Sequence, residues 1–249
     1  MKILLVNDDG IYSAGILTLA KKLLSTNEVT LVAPQGQMSG MGHSISYYGY
    51  VNYAELKIID GVRCFAVNGT PADCVKVALN LIMEEKPDLI ISGINKGFNL
   101  GSDVFYSGTV NAALEGAVQR IKSIAVSQEY HLKDFEFTSD FISKNLEKFY
   151  NLLPDDAQTI LNINVPSDDA KVLKGVRFSK IGIKRYNESY IFDEKYGYKL
   201  RGVSELSDCN TKEDDVYLYK NNYITISAVK NDWNDYDFYD KFKDGDLNL

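Results

Sequence analysis

Histidine and cysteine are scarce in this chain: of its 249 residues, two are histidine and three are cysteine. His43 and His131 are too few for the two- and three-histidine sites that dominate zinc hydrolases, so any metal here must be held by oxygen. Cys64, Cys74 and Cys209 form no CxxC and leave an odd number, so neither a disulfide framework nor a zinc ribbon is expected; a reducing cytoplasm fits. Long apolar runs are missing too. The opening MKILLVNDDG meets acids too soon for a secretory segment, and nothing later approaches the ~20 apolar residues of a membrane span. Basic residues are outnumbered, 27 Lys+Arg against 34 Asp+Glu, for a formal charge of -7. Extended nucleic acid is therefore not an expected partner, because that affinity requires a Lys/Arg-rich face. What is present is ordinary globular composition, 45% hydrophobic. A folded chain of this size buries roughly 70% or more of its unfolded surface, as one large domain or two small ones.

Short aliphatic runs recur at Ile3 to Val6, Val29 to Val32, Cys64 to Val67, Leu89 to Ile91, Ile124 to Val126 and Ile160 to Val165. Between them lie helical patterns with apolar spacing near 3.6, as in Ile16, Leu19, Ala20, Leu23, Leu24 and in Val75, Val77, Ala78, Leu81, Ile82. Continuous apolar strands separated by helices predict an α/β fold, a doubly wound and mostly parallel sheet, over residues 1–170. From Lys171 to Leu249 the texture turns Tyr-rich and loop-rich, with strand-like pieces at Val176 to Ser179 and Tyr223 to Val229. Residues 171–249 read as an appended, β-containing arm. Its end sets Trp233, Tyr236, Phe238, Tyr239 and Phe242 among six aspartates, and a subunit partner covering these aromatics is slightly favoured over a plain amphipathic surface.

In open α/β sheets ligands bind beyond the carboxyl ends of the strands, so the residues just after each run carry the chemistry. After the first strand stand Asn7, Asp8, Asp9 and Gly10. Two adjacent carboxylates at a buried strand end repel unless a proton or cation neutralises them, and an oxygen-only site suits magnesium or manganese. The second strand leads into a glycine-rich loop, Gln35 to Ser44, in which Ser39 reads from spacing alone as a plain Ser-Gly turn. After the fourth come Asn95, Lys96 and Asn99 among glycines at 93, 97 and 101, which let backbone amides approach an anion. Neither dinucleotide nor P-loop fingerprints occur. Ser107, Gly108 and Thr109 open an Ala-rich helix whose N-terminus makes a phosphate seat. Thr70, Pro71 and Asp73 read as a helix cap without any ligand, His43 as an incidental hydrogen-bonding side chain, and the cysteines as packing residues.

Taken together, MKILLVNDDG, SGMGHSIS, VNGTPADCVKVAL and SGINKGFNLGSDVFYSGTVNAALEGA resemble the SurE family, the stationary-phase survival nucleotidases. The likeness runs in long gapless stretches through the first half and continues weakly in ILNINVP, KGVRF and NNYITIS. It implies a Rossmann-like core with a projecting C-terminal arm used in homodimers or homotetramers, and a divalent-metal phosphohydrolase of nucleoside 5′- and 3′-monophosphates. By motif it places one magnesium or manganese ion on Asp8, Asp9, Ser39 and Asn95. The mechanism expected has Asp8 or Asp9 orienting a water and taking its proton, with phosphate oxygens held by Asn95, Lys96, Asn99, Ser107, Gly108 and Thr109. The chain departs from the family pattern at Gln35, Gly36 and Gln37, at Ser207 to Thr211 and at Thr225 to Val229. The alternative is a nucleotide-binding regulator without turnover. A metal-dependent deacetylase would want histidines near Asp8, and an aspartyl-phosphate phosphatase would want DxD; both are disfavoured.

Overall fold

The computed structural model describes residues 1–205, 211–232 and 234–243. Strands and helices alternate through the first two thirds: β1 (Lys2–Val6), α1 (Ala14–Leu23), β2 (Glu28–Pro34), β3 (Tyr53–Leu56), β4 (Arg63–Val67), α2 (Pro71–Val77), β5 (Leu89–Lys96), α3 (Gly108–Val118), β6 (Ser123–Gln128), α4 (Glu136–Leu152) and β7 (Thr159–Val165). Then follow β8 (Gly175–Ser179), β9 (Arg185–Asp193), β10 (Gly197–Glu205), α5 (Asp215–Lys220), β11 (Tyr223–Lys230) and α6 (Tyr236–Phe242). Nine strands form one sheet in the order β3-β4-β2-β1-β5-β6-β7-β11-β8. From β4 to β7 every pairing is parallel; β3 and β11 join antiparallel to β4 and β7.

Alternation along each strand sends successive side chains to opposite faces. Ile3, Leu5, Leu31 and Ile91 pack under α1 and α4, against Ile16, Leu19, Ile142 and Leu146. Leu4, Val6, Val32 and Ile90 pack under α2 and α3, against Cys74, Val75 and Ala112. Covering both faces is why these strands read as unbroken apolar runs. Each fully buried Leu or Ile contributes about 1.5–3 kcal/mol.

Beyond α3 the second face turns polar. Ser127 of β6, Asn162 and Asn164 of β7, and Thr225 and Ser227 of β11 are all buried there, and Ser227 Oγ shares a 2.8 Å hydrogen bond with Ser179 Oγ of β8.

Three features differ from the sequence expectation. The strand-like pieces at 176–179 and 223–229 are β8 and β11, and both extend the central sheet; Ile224 and Ile226 belong to its core. The arm is instead the hairpin β9–β10, nine residues a side, closed by Asp193, whose Oδ1 accepts from the Lys195 and Tyr196 amides at 2.9 and 3.0 Å. Every β9 side chain is exposed, so no apolar alternation marks it. Finally, α2 passes after Val77 into one wider turn, closed by the Met83 amide on the Ala78 carbonyl at 2.9 Å, and this rotates Leu81 out to 61% exposure.

Thr70 caps α2 with the reciprocal Thr70/Asp73 box and Pro71 in the first turn, as its residue types require. Cys64 and Cys74 are buried and unbridged. Cys209, the stretch Ser207 to Asn210 and Trp233 lie outside the described residues, as does the Phe242 side chain. Among the described residues no helix is long and apolar enough to cross a membrane.

Candidate active site

From β1 the chain winds outward one way through β2 and β4, and from β5 it winds the other way through β6 and β7. The carboxyl ends of β1 and β5 therefore flank the crevice where a doubly wound sheet takes its ligand. Past Val6, Asn7 is wholly buried: its Nδ2 donates to the Gly10 carbonyl (3.0 Å) and Ser13 Oγ (2.7 Å), and its Oδ1 accepts from the Gly10 amide (3.1 Å). This closes a tight turn in which Gly10 adopts φ +98°, a conformation that favours glycine.

The turn presents the two aspartates to different partners. Asp8, 4% exposed, meets the start of α3, where the Thr109 hydroxyl donates to Asp8 Oδ1 at 2.5 Å. Asp9 Oδ2 accepts from the Lys96 amide of β5 at 3.2 Å. Burial pushes the Asp8 carboxyl up to about 6; the Thr109 hydroxyl pulls it back and the charge of Asp9 adds to the rise. Burial also raises Asp9, against the Lys96 amide and ammonium. Burial at this depth disfavours the charged form of both carboxylates, and a cation placed beside them would favour it. Gly108 stands close behind: a Cβ there would lie 2.8 Å from Asp8 Cβ and 2.9 Å from Asp8 Oδ2.

Asp8, Ser39, Asn95, Lys96, Asn99 and Ser107 line a single cleft of ≈ 680 Å³. Asp9, Gly108 and Thr109 stand outside that lining, bonded to or packed on residues within it. Ser39 Oγ accepts from Gln37 Nε2 at 3.1 Å, and Asn95 Nδ2 donates to the Gly97 carbonyl at 2.8 Å, which leaves Asn95 its amide oxygen. The lining offers one carboxylate (Asp8), a hydroxyl (Ser39) and an amide oxygen (Asn95), oxygen donors of the kind a hard divalent cation takes; among the described residues no three His, Cys, Asp or Glu side chains converge. Ser107 caps α3 by accepting from the Val110 amide at 3.1 Å, and its own hydroxyl proton remains available to a ligand.

Sequence reasoning did not find what holds these residues. Asn99 is clamped by two asparagines of β7: its amide N–H donates to Asn164 Oδ1 at 2.8 Å, and its carbonyl accepts from Asn162 and Asn164 Nδ2 at 2.8 and 3.1 Å. Its side chain bonds Ser127 Oγ at 2.7 Å. A serine hydroxyl either accepts or donates, so turning the Asn99 amide over would let Ser127 donate and free the NH2 group. The signal was in ILNINVP, where asparagine recurs at every second position of an apolar strand. The loop that carries Ser39 is tied down by His43, whose Nε2 lies 3.0 Å from Glu115 Oε2 of α3, and by the Gly42 amide on the Tyr106 carbonyl at 3.0 Å. Burial works to raise Glu115, but hydrogen bonds from His43, Lys76 and Gln119 outweigh it and hold the carboxyl down at about 2. Opposite, Tyr186 and Glu188 of β9 and Leu200 and Gly202 of β10 form a wall of the cleft. It is anchored where Asp103 accepts from both Lys184 Nζ and the Tyr186 hydroxyl, and where buried Asp215 accepts from the Gly101, Gly182 and Val216 amides at 2.9, 2.9 and 2.8 Å.

The family model "Survival protein SurE" matches residues 3–188. The chain belongs to the SurE family. It is 39% identical to a 5′-nucleotidase SurE of Natranaerobius thermophilus over 96% of each chain, and 37% identical to one of Thermoanaerobacter sp. over the full length of both. The crystal structure of the SurE protein of Aquifex aeolicus superposes with a TM-score of 0.82 at 32% identity, covering 98% of each chain. The family model ends within β9, whereas the Thermoanaerobacter relative covers the hairpin and β11 as well as the core.

Proposed function

We propose that this SurE chain is a divalent-metal-dependent phosphomonoesterase that releases phosphate from nucleoside 5′- and 3′-monophosphates. One observation carries the reading: strand ends and loops far apart in sequence bring Asp8, Ser39 and Asn95 to one cleft together with Lys96, Asn99 and Ser107. The names of the Natranaerobius and Thermoanaerobacter relatives support the nucleotide as substrate.

Asp8, Asp9, Ser39 and Asn95 would hold one magnesium or manganese ion. Such an ion supplies charge neutralisation at phosphoryl oxygens and acidifies water. Asp8 or Asp9 orients the attacking water and accepts its proton. Thr109 donates a hydrogen bond from its hydroxyl to Asp8 and so sets that carboxylate's direction. The phosphate oxygens fall to Lys96, the Ser107 hydroxyl, the Gly108 amide, and Asn99 in its NH2-outward rotamer. Positioning and charge stabilisation supply most of the catalysis in phosphoryl transfer.

The experiment is phosphate release from nucleoside 5′- and 3′-monophosphates with added magnesium or manganese. The expected outcome is turnover abolished by chelation and by Asp8→Asn. Activity that survives both refutes the scheme, and tight nucleotide retention without release would instead make the chain a regulator. A homodimer or homotetramer in a reducing cytoplasm belongs to the same proposal, supported by the exposed hairpin aromatics and the unbridged Cys64 and Cys74. Light scattering of the full chain tests the assembly.

A further inference from the structure

The cleft lining joins two sets of groups. Ser107 at the α3 N-terminus, Lys96 and the proposed ion on Asp8 and Asn95 suit a phosphate. The hairpin contributes a further carboxylate, Glu188. Tyr186 and Glu188 are two residues apart on β9, and Gly202 pairs directly with Glu188 across the ladder, so the cleft-lining members of both strands share one face. The other acid of this wall, Asp103, is already neutralised by Lys184 and the Tyr186 hydroxyl. No hydrogen bond or ion pair engages Glu188 among the described residues. Gly202 adds to the opening, because a side chain there would lie 3.4 Å from both Glu188 Cγ and Tyr186 Cδ1.

An unengaged carboxylate in this cleft repels the phosphate and attracts cations and hydrogen-bond donors, and of these a nucleoside monophosphate offers donors. The nucleoside end of the substrate offers a vicinal pair of hydroxyls, which matches the two oxygens of one carboxylate. We infer that Glu188 receives the ribose 2′- and 3′-hydroxyls of a nucleoside 5′-monophosphate and makes the site prefer ribonucleotides over deoxyribonucleotides. The inference rests on the nucleotidase reading. Glu188 takes no part in the chemistry, so its loss acts on substrate choice.

The test compares kcat/KM for AMP, 2′-deoxy-AMP and IMP in the wild-type chain, Glu188→Gln and Glu188→Ala. The wild-type chain is expected to favour AMP over 2′-deoxy-AMP by about fivefold or more, as one hydrogen bond to a partly solvated charge provides. Both variants should bring that ratio to near one, AMP losing about fivefold more in kcat/KM than 2′-deoxy-AMP, which forfeits only the contact of its 3′-hydroxyl. Failure to hydrolyse any of the three by the wild-type chain would sink the nucleotidase reading itself. Hydrolysis with an unchanged AMP to 2′-deoxy-AMP ratio in the variants overturns the role of Glu188 alone. A variant that alters only the AMP to IMP ratio overturns it too, by placing the carboxylate on the base amino group.

Discussion

The contact between Gly108 and Asp8 gives the sharpest quantitative test of the site. Replacing Gly108 by alanine puts a methyl 2.8 Å from Asp8 Cβ, 2.9 Å from Asp8 Oδ2 and 3.0 Å from Pro71 Cγ, so one of these groups must move. Pro71 sits in the buried first turn of α2, and Asp8 closes the buried end of β1. The aspartate side chain is the softer neighbour. In helix terms the substitution is favourable, by up to about 1 kcal/mol, whereas an extra methyl in a filled space costs about 1–3 kcal/mol. The net loss is therefore at most about 3 kcal/mol, a fall in Tm of up to about 12 °C for a chain of this size. Activity should suffer far more than stability, because displacing a reacting group by about 1 Å costs on the order of a hundredfold in rate. We expect Gly108→Ala to lose between about ten- and a hundredfold in kcat/KM, most of it in kcat, while remaining folded by thermal melt. Gly36→Ala is the control: nothing lies within 4 Å of its Cβ position, and its stability should stay within about 0.5 kcal/mol of wild type. A Gly108→Ala enzyme with full kcat and an unchanged or raised Tm would show that the start of α3 does not set the position of Asp8.

Asp8 also predicts a pH signature. Its ordinary value of 3.8 is raised in the fold to about 6, so the stability it contributes is complete below about 3.8 and is lost as pH rises through about 6. With chelator present, melts should fall across that window by about 3 kcal/mol at 1.36 kcal/mol per pH unit, and manganese should restore the loss at neutral pH; a flat profile with no metal effect contradicts this. Glu115→Gln removes the charged acceptor that ties the Ser39 loop to α3 through His43, with Lys76 on the same carboxylate. It should lower stability by about 2 kcal/mol and raise KM more than it lowers kcat. Because Glu115 is depressed from 4.5 to about 2, its contribution is present above about 4.5 and fades as pH falls through about 2, so an acid-unfolding midpoint that moves upward in the variant is the reading to look for. Asp215→Ala strands three buried amides that tie the Gly101 turn to the arm and should cost about 2–4 kcal/mol by urea titration; a loss under about 0.5 kcal/mol would contradict that role.

The core sheet was legible because both of its faces are covered, which leaves aliphatic runs at β1, β2, β4, β5, β6 and β7. The candidate site residues were legible where adjacent acids or dense glycines break those runs, as at Asp8–Asp9 and Gly93–Gly101. What escaped notice lacks a periodic signal. The hairpin is exposed along β9 and shows no alternation. The loop's tether depends on His43 meeting Glu115, 72 positions later, and no local pattern reports such a meeting. Ser39 could not be lifted above a plain turn by spacing; only the resemblance singled it out. The structure now places it in the same cleft as Asp8 and Asn95.

Amides in the interior do not trade partners as freely as methyl groups do. Because Asn162 and Asn164 grip both the N–H and the C=O of Asn99, sliding β7 by a single residue would turn both asparagines away from that backbone and put isoleucine or leucine against it. The clasp acts as a ratchet stop for the far half of the sheet. A change at 162 or 164 strands a main-chain N–H or C=O of residue 99 away from water, and no exchange of the side chain at 99 removes that penalty. The two asparagines thus hold the strand in place whatever side chain residue 99 carries.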